Sequence, residues 1–204
     1  MKAFMLLIFS VLLILTLTSK ETPIQPLHQN NSILAFGDSL TYGYHAKPNE
    51  SYPAVLSRLS AHKVINAGIP AETSAEGLRR LPKLLEDESI KLMILFFGGN
   101  DIMQRLPMEK LKANLKSMIA MAKAKQIDVL LISVPNLNLF GFSPLGLYDD
   151  VADEENIPLL SGMLADIISQ PSLKSDQVHP NAKGYKMMGE KIYEKLKEVG
   201  WLKE

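Results

Sequence analysis

Six consecutive residues, Leu92-Met93-Ile94-Leu95-Phe96-Phe97, are apolar without a break. A strand wetted on one side alternates apolar with polar residues, so an unbroken run bounded by turn signals reads as a strand covered on both faces, as in a parallel sheet between two helical layers. Segments at 33–36, 63–66 and 129–134, each holding adjacent aliphatic residues, with a weaker one at 157–160, read as companion strands. Amphipathic stretches at 52–60, 74–86, 108–125, 147–155 and 181–199 fill the gaps as helices. Strand and helix in strict alternation predict a three-layer α/β domain, in which ligands bind beyond the carboxyl ends of the strands. With 204 residues, 47% of them hydrophobic, the chain can bury one such core.

Charge and cysteine content narrow the function classes. Lys+Arg and Asp+Glu both number 22, so no global field draws the chain to nucleic acid or acidic lipid, and a partner is to be sought in a pocket. Cysteine is absent, which removes disulfides, thiolate metal sites and a cysteine nucleophile together. At the N-terminus, Lys2 precedes an apolar run from residue 3 to 17 interrupted only by Ser10 and Thr16. A charged start, about 15 apolar residues and then small residues read as a secretory signal over 1–19, followed by a linker over 20–32 and a globular domain over 33–204. An uncleaved N-terminal anchor is the other reading, because no Ala-x-Ala site is present. Either version predicts export, to a periplasmic or extracellular position.

The residues after each strand carry the chemistry. Gly37-Asp38-Ser39-Leu40 follows the first. There Gly37 allows a sharp turn out of the sheet, and Ser39 stands near a helix N-terminus, where backbone amides favour developing negative charge. Taken alone, Asp-Ser after a strand reads equally well as a helix cap. Asn66-Ala67-Gly68 follows the second strand and Gly98-Gly99-Asn100-Asp101 the third. Glycine admits close backbone approach and the asparagine amide donates without ionising, which suits an oxyanion hole, although both segments also suit plain turns. Of the adjacent pair, Asn100 is the candidate donor and Asp101 a turn or capping residue, since an ionised carboxylate repels a developing oxyanion. Near the C-terminus, Asp176 lies three residues before His179, and Pro180 is placed to open the last helix. A carboxylate on one imidazole nitrogen frees the other to take a proton from a serine. His28, His45 and His62 read as surface residues, without a carboxylate or second ligand at metal spacing.

Together these blocks, in this order, resemble the GDSL or SGNH hydrolase family, and the resemblance runs from Ile33 to the C-terminus. Asn66-Ala67-Gly68, Thr73-Ser74 and Gly77-Leu78-Arg79-Arg80-Leu81-Pro82 are similar in particular to the bacterial arylesterase, acyl-thioesterase and lysophospholipase branch. The resemblance implies a flavodoxin-like five-stranded parallel sheet between helical layers and a serine esterase acting on small acyl esters or thioesters. It implies Ser39 as nucleophile, Asp176 and His179 as the rest of a triad, and Ser39, Gly68 and Asn100 as the oxyanion hole. No metal or organic cofactor is implied. The stretch 135–150, with Leu137, Leu139, Phe140, Phe142, Leu145 and Leu147, reads either as an apolar wall for an acyl chain or as a loop folded onto the core. Two rival functions stand beside the esterase: a carbohydrate O-acetyl esterase, which a polar groove would favour, and a non-catalytic binding domain held at a membrane by the leader.

Overall fold

The computed structural model describes residues 25–138, 141–143 and 145–203, so the leader at 1–19 lies outside the described residues. The chain runs β1 (Ser32–Gly37), α1 (Ser39–Tyr42), α2 (Tyr52–Ser60), β2 (Lys63–Gly68), α3 (Ser74–Leu84), β3 (Ile90–Phe96), α4 (Gly99–Met103), α5 (Met108–Ala124) and β4 (Asp128–Ile132). It continues with β5 (Asn136–Asn138), β6 (Gly141–Ser143), α6 (Leu147–Glu155), β7 (Leu159–Leu160), α7 (Met163–Ile168) and α8 (Ala182–Val199).

Five strands form one parallel sheet in the order β2-β1-β3-β4-β7. This is the flavodoxin-like order, in which the chain reverses direction across the sheet between β1 and β3. The helices fall into two contacting groups, α2 with α8 and α7, and α3 with α5 and α6. Each group covers one face, as right-handed crossovers from such an order require. Ile33 to Phe36 on β1 and Leu92 to Phe97 on and after β3 have no exposed surface, which is why these strands lack polar alternation. The edge strand β2 exposes Lys63 and Asn66 instead, so its pattern is mixed. Such charged and polar side chains on an edge discourage pairing with another chain.

Local signals account for the helix starts. Thr73 accepts from the Glu76 N–H, and Glu76 returns a carboxylate to the Thr73 N–H at 2.9 Å, a reciprocal cap that opens α3. Asn181 caps α8 by accepting from the N–H groups of Lys183 and Gly184 at 3.0 and 3.1 Å. Pro180 therefore lies just outside α8, bridged to Lys174, and does not open it: the asparagine side chain supplies the cap. The segment read as a linker is tied down in part, since Leu27 donates its N–H to Trp201 O at 2.8 Å. The Trp201 indole in turn donates to Asp128 Oδ2 at 2.8 Å. Among the described residues no helix is long and apolar enough to cross a membrane.

Between β4 and α6 the backbone forms a small antiparallel hairpin of β5 and β6. Leu139 and Phe140 lie outside the described residues. Leu145 and Leu147, the last two of those apolar residues, pack partly buried against the core, and Leu147 opens α6.

Candidate active site

The carboxyl ends of β1, β2 and β3 bring the first three sequence blocks together. At the end of β1, Gly37 is needed for close approach, because a Cβ there would lie 2.3 Å from Thr41 Oγ1 and 2.4 Å from Phe96 O. Its φ is not in the left-handed region, so packing rather than a sharp turn explains the glycine. Asp38 caps the short helix α1 by accepting from the Leu40 N–H at 3.0 Å, which makes Ser39 the first helical residue. Arg80 braces the strand ends from α3. Its guanidinium lies 4.5 Å above the Phe36 ring, donates to Gly37 O and Ala67 O, and pairs with the Glu72 carboxylate at 2.5 Å. A planar fork that reaches two strand carbonyls and a carboxylate at once holds the β1 and β2 ends in fixed relation.

Ser39 Oγ lies 3.0 Å from His179 Nε2, and His179 Nδ1 lies 2.8 Å from Asp176 Oδ2. The other Asp176 oxygen accepts the N–H groups of Val178 and His179, both at 2.8 Å, so the carboxylate is oriented by its own turn. Partial burial works against ionisation of Asp176, but the Val178 N–H, the His179 ring and the His179 N–H outweigh it and hold the carboxyl down to about 2. Asp176 therefore stays charged across the neutral range. A hydroxyl, an imidazole and a carboxylate thus lie in hydrogen-bonded sequence, an arrangement that suits activation of a serine by a base.

The donor groups differ from one another. Asn100 is buried at the start of α4 and its Nδ2 donates to Glu72 O at 2.9 Å and to Asp38 Oδ2 at 3.2 Å. It lines the same cleft as Ser39 and His179. The Gly68 N–H is donated to Asn66 Oδ1 at 3.0 Å. A Cβ on Gly68 would come within 2.1 Å of Tyr42 N, so this glycine lets β2 pack against α1. Asp101 points away from the serine, accepting from Ser74 N–H at 2.9 Å and Ser74 Oγ at 2.6 Å, and so ties α4 to the first turn of α3.

Asp38 is buried, and loss of hydration pushes its carboxyl up to about 7, against the Leu40 N–H and with the help of the nearby Asp101 and Glu72 charges. Between about pH 4 and pH 7 the folded chain holds a proton on Asp38 that the unfolded chain has released. This group therefore lowers stability as pH rises through that window. Thermal melts of the wild type and Asp38→Asn across pH 4 to 8 test this. The melting temperature of the variant is expected to gain on that of the wild type as pH rises, and a constant difference would contradict the assignment.

Sequence spacing misses His45. It reads as a surface histidine with no carboxylate nearby, yet its Nε2 lies 3.3 Å from Asp176 Oδ2. The Tyr44 ring packs against both imidazoles, with centroids 4.3 Å from His45 and 5.0 Å from His179. The contact joins the loop after α1 to the loop before α8, and nothing in the local pattern of either loop signals it. His28 is exposed, as read, whereas His62 is partly buried with its Nδ1 3.2 Å from Asn31 O.

The cleft holding Ser39, Asn100 and His179 is walled by Ile102, Met103, Val134, Leu164 and Ile168. Comparison with known proteins places the chain beside esterases and a thioesterase. Esterase TesA of Pseudomonas aeruginosa is 30% identical over 180 residues, covering 82% of this chain and 89% of that protein. Thioesterase 1/protease 1/lysophospholipase L1 of Escherichia coli K12 is 29% identical over 160 residues, covering 74% of this chain and 76% of that protein. The crystal structure of the psychrotrophic esterase EstA from Pseudoalteromonas sp., inhibited by monoethylphosphonate, superposes with a TM-score of 0.74 at 26% identity, over 82% of this chain and 97% of that one. The model of the GDSL-like Lipase/Acylhydrolase family matches residues 35–187, well over half of the sequence, and the chain belongs to that family.

Proposed function

We propose that the chain is a serine esterase that hydrolyses carboxylic ester or thioester bonds of small acyl substrates through an acyl-enzyme on Ser39. The observation that carries this is the unbroken relay Ser39 Oγ, His179 Nε2, His179 Nδ1, Asp176 Oδ2, with links of 3.0 and 2.8 Å. His179 takes the serine proton as Oγ attacks the carbonyl carbon. It then returns that proton to the departing alcohol or thiol, and water repeats the two steps on the acyl-enzyme.

In this mechanism the Ser39 N–H and Asn100 Nδ2 hold the oxyanion, with Asn100 relaxing its longer bond to Asp38. Gly68 would join them only by giving up Asn66 Oδ1. Removing one oxyanion donor costs about 100- to 1,000-fold in turnover with little change in ground-state binding. Asn100→Ala is accordingly expected to lower kcat on that order at nearly constant KM. Asp101→Ala is expected to act through stability, costing about 2 kcal/mol for the charged acceptor lost to Ser74. Steady-state kinetics with thermal melts on both variants separate the two effects. Normal kcat in a folded Asn100→Ala protein would remove Asn100 from the oxyanion hole.

The apolar walls of the cleft favour an acyl chain over a sugar ring. Aryl esters, acyl thioesters, a lysophospholipid and acetylated sugars, assayed on one preparation, test the reading. Turnover of the acyl esters and thioesters supports it, turnover of acetylated sugars alone favours the carbohydrate O-acetyl esterase, and silence toward all favours the binding domain.

Residues 1–19 act in this reading as an export signal or a membrane-attaching leader. N-terminal sequencing of protein recovered outside the cytoplasm is expected to begin between Ser19 and Thr22 if the leader is removed, whereas an intact Met1 in the membrane fraction identifies an anchor. Full-length protein confined to the soluble cytoplasm would contradict both.

A further inference from the structure

His45, Asp176 and His179 offer two imidazole nitrogens and a carboxylate oxygen that all lie within 4.8 Å of one another. Around a tetrahedral zinc ion with bonds of about 2.0–2.1 Å, ligand atoms sit about 3.3 Å apart, so small ring rotations would bring these three to coordinating distance. The cluster opens to solvent: the His45 side chain is 45% exposed and that of Asp176 39%. A cation can therefore enter without disturbing the core. Tyr44, packed against both rings, limits their motion and lowers the cost of assembling the ligands. Two nitrogens and one oxygen suit a zinc-class ion and are poor ligands for magnesium or calcium, which prefer oxygen alone.

We propose that His45, Asp176 and His179 form an inhibitory site for zinc-class divalent cations, built on the outer side of the Ser39–His179 pair. The inhibitory part rests on the reading of His179 as general base; the binding part does not. A metal bonded to His179 Nδ1 takes the lone pair of that nitrogen, and the single proton of the neutral ring then resides on Nε2. Nε2 is the atom that faces Ser39 Oγ at 3.0 Å. Carrying a proton, it donates to the serine and cannot accept from it. Binding therefore switches off the base by choosing its tautomer, with no net proton gained or lost by the ring and with Ser39 itself untouched. His45 is the one ligand of the three that lies outside the proposed triad, so it sets whether the cation stays.

The test separates binding from turnover. Calorimetric titration of zinc chloride into the Ser39→Ala protein needs no activity. It is expected to show one ion per chain, with binding weakened about tenfold or more by an added His45→Gln change and unaffected by His62→Gln. Magnesium chloride should give no heat. In active protein, zinc is expected to inhibit ester hydrolysis, a chelator to restore it, and His45→Gln to raise the inhibition constant by a similar factor, each variant judged against its own metal-free rate. Long-range proton–nitrogen NMR should show the His179 proton move from Nδ1 to Nε2 on zinc addition. Absence of binding, or binding indifferent to His45, overturns the site. Binding that leaves turnover intact overturns the inhibitory role. Zinc binding in a chain that hydrolyses no ester would uphold the site and sink the esterase reading instead.

Discussion

Replacing Ser39 by alanine is expected to lower kcat by a factor on the order of 10⁶ on every ester the protein turns over, while the fold survives. The size follows from the role: without Oγ there is no acyl-enzyme, and the remaining donors and binding contacts support only slow direct hydrolysis. Survival of the fold follows from position. Ser39 opens α1, but the capping bond is made by Asp38, and the helix is held from within by Thr41, whose hydroxyl meets Tyr52 Oη at 3.1 Å. Alanine at the first helical position disturbs neither. Kinetics on an aryl ester and a thermal melt of the same sample check both halves, and a variant that has unfolded would say nothing of catalysis.

The second large effect is expected at Asp176, where the conservative change to asparagine should cost on the order of 10⁴-fold in kcat. The geometry dictates how the amide would sit. One Asp176 oxygen accepts two backbone N–H groups at 2.8 Å, a position that only an oxygen can fill, so the amide oxygen of Asp176→Asn goes there. The NH₂ group is left facing His179 Nδ1, where the carboxylate had accepted a hydrogen bond at 2.8 Å. A donor at that point forces Nδ1 to accept and moves the ring proton to Nε2, so the base meets Ser39 in the wrong tautomer. Because the turn keeps its two backbone bonds, the melting temperature should change little. A large loss of kcat with an unchanged melt supports an orienting carboxylate; kcat within tenfold of wild type would contradict it.

How much of this could be read from residues alone depends on the range of the interaction. Leu92 to Phe97 declares a doubly covered strand because burial on both faces removes every polar side chain, and all six are fully buried. The helices Tyr52–Ser60 and Leu147–Glu155 match their amphipathic stretches end to end, since both faces of each pattern are set locally. The short helices α1, α4 and α7 and the β5–β6 hairpin escape, being too short for a period to show. The expected strand at 157–160 contracts to Leu159–Leu160, which pairs only with β4 at the sheet edge.

Within the site, Ser39, Asn100, Asp176 and His179 stand out because each follows a strand or precedes a helix in a block of recognisable chemistry. Gly68 shares that block logic, yet its amide is occupied and its lack of a side chain serves the approach of α1. His45 is illegible for the opposite reason. Its carboxylate neighbour comes from the far end of the chain, and only folding brings the two loops to 3.3 Å.

The central claim is that Ser39 Oγ is the nucleophile, and covalent labelling tests it most directly. A fluorophosphonate reacts with a serine only where a base activates the hydroxyl and donors hold the phosphoryl oxygen. Mass spectrometry of the labelled, digested protein is expected to find one adduct, on the peptide containing Gly37-Asp38-Ser39-Leu40, with fragment ions assigning it to Ser39 and with no adduct in the Ser39→Ala protein. An adduct on another residue, or loss of esterase activity with Ser39 unmodified, would contradict the account.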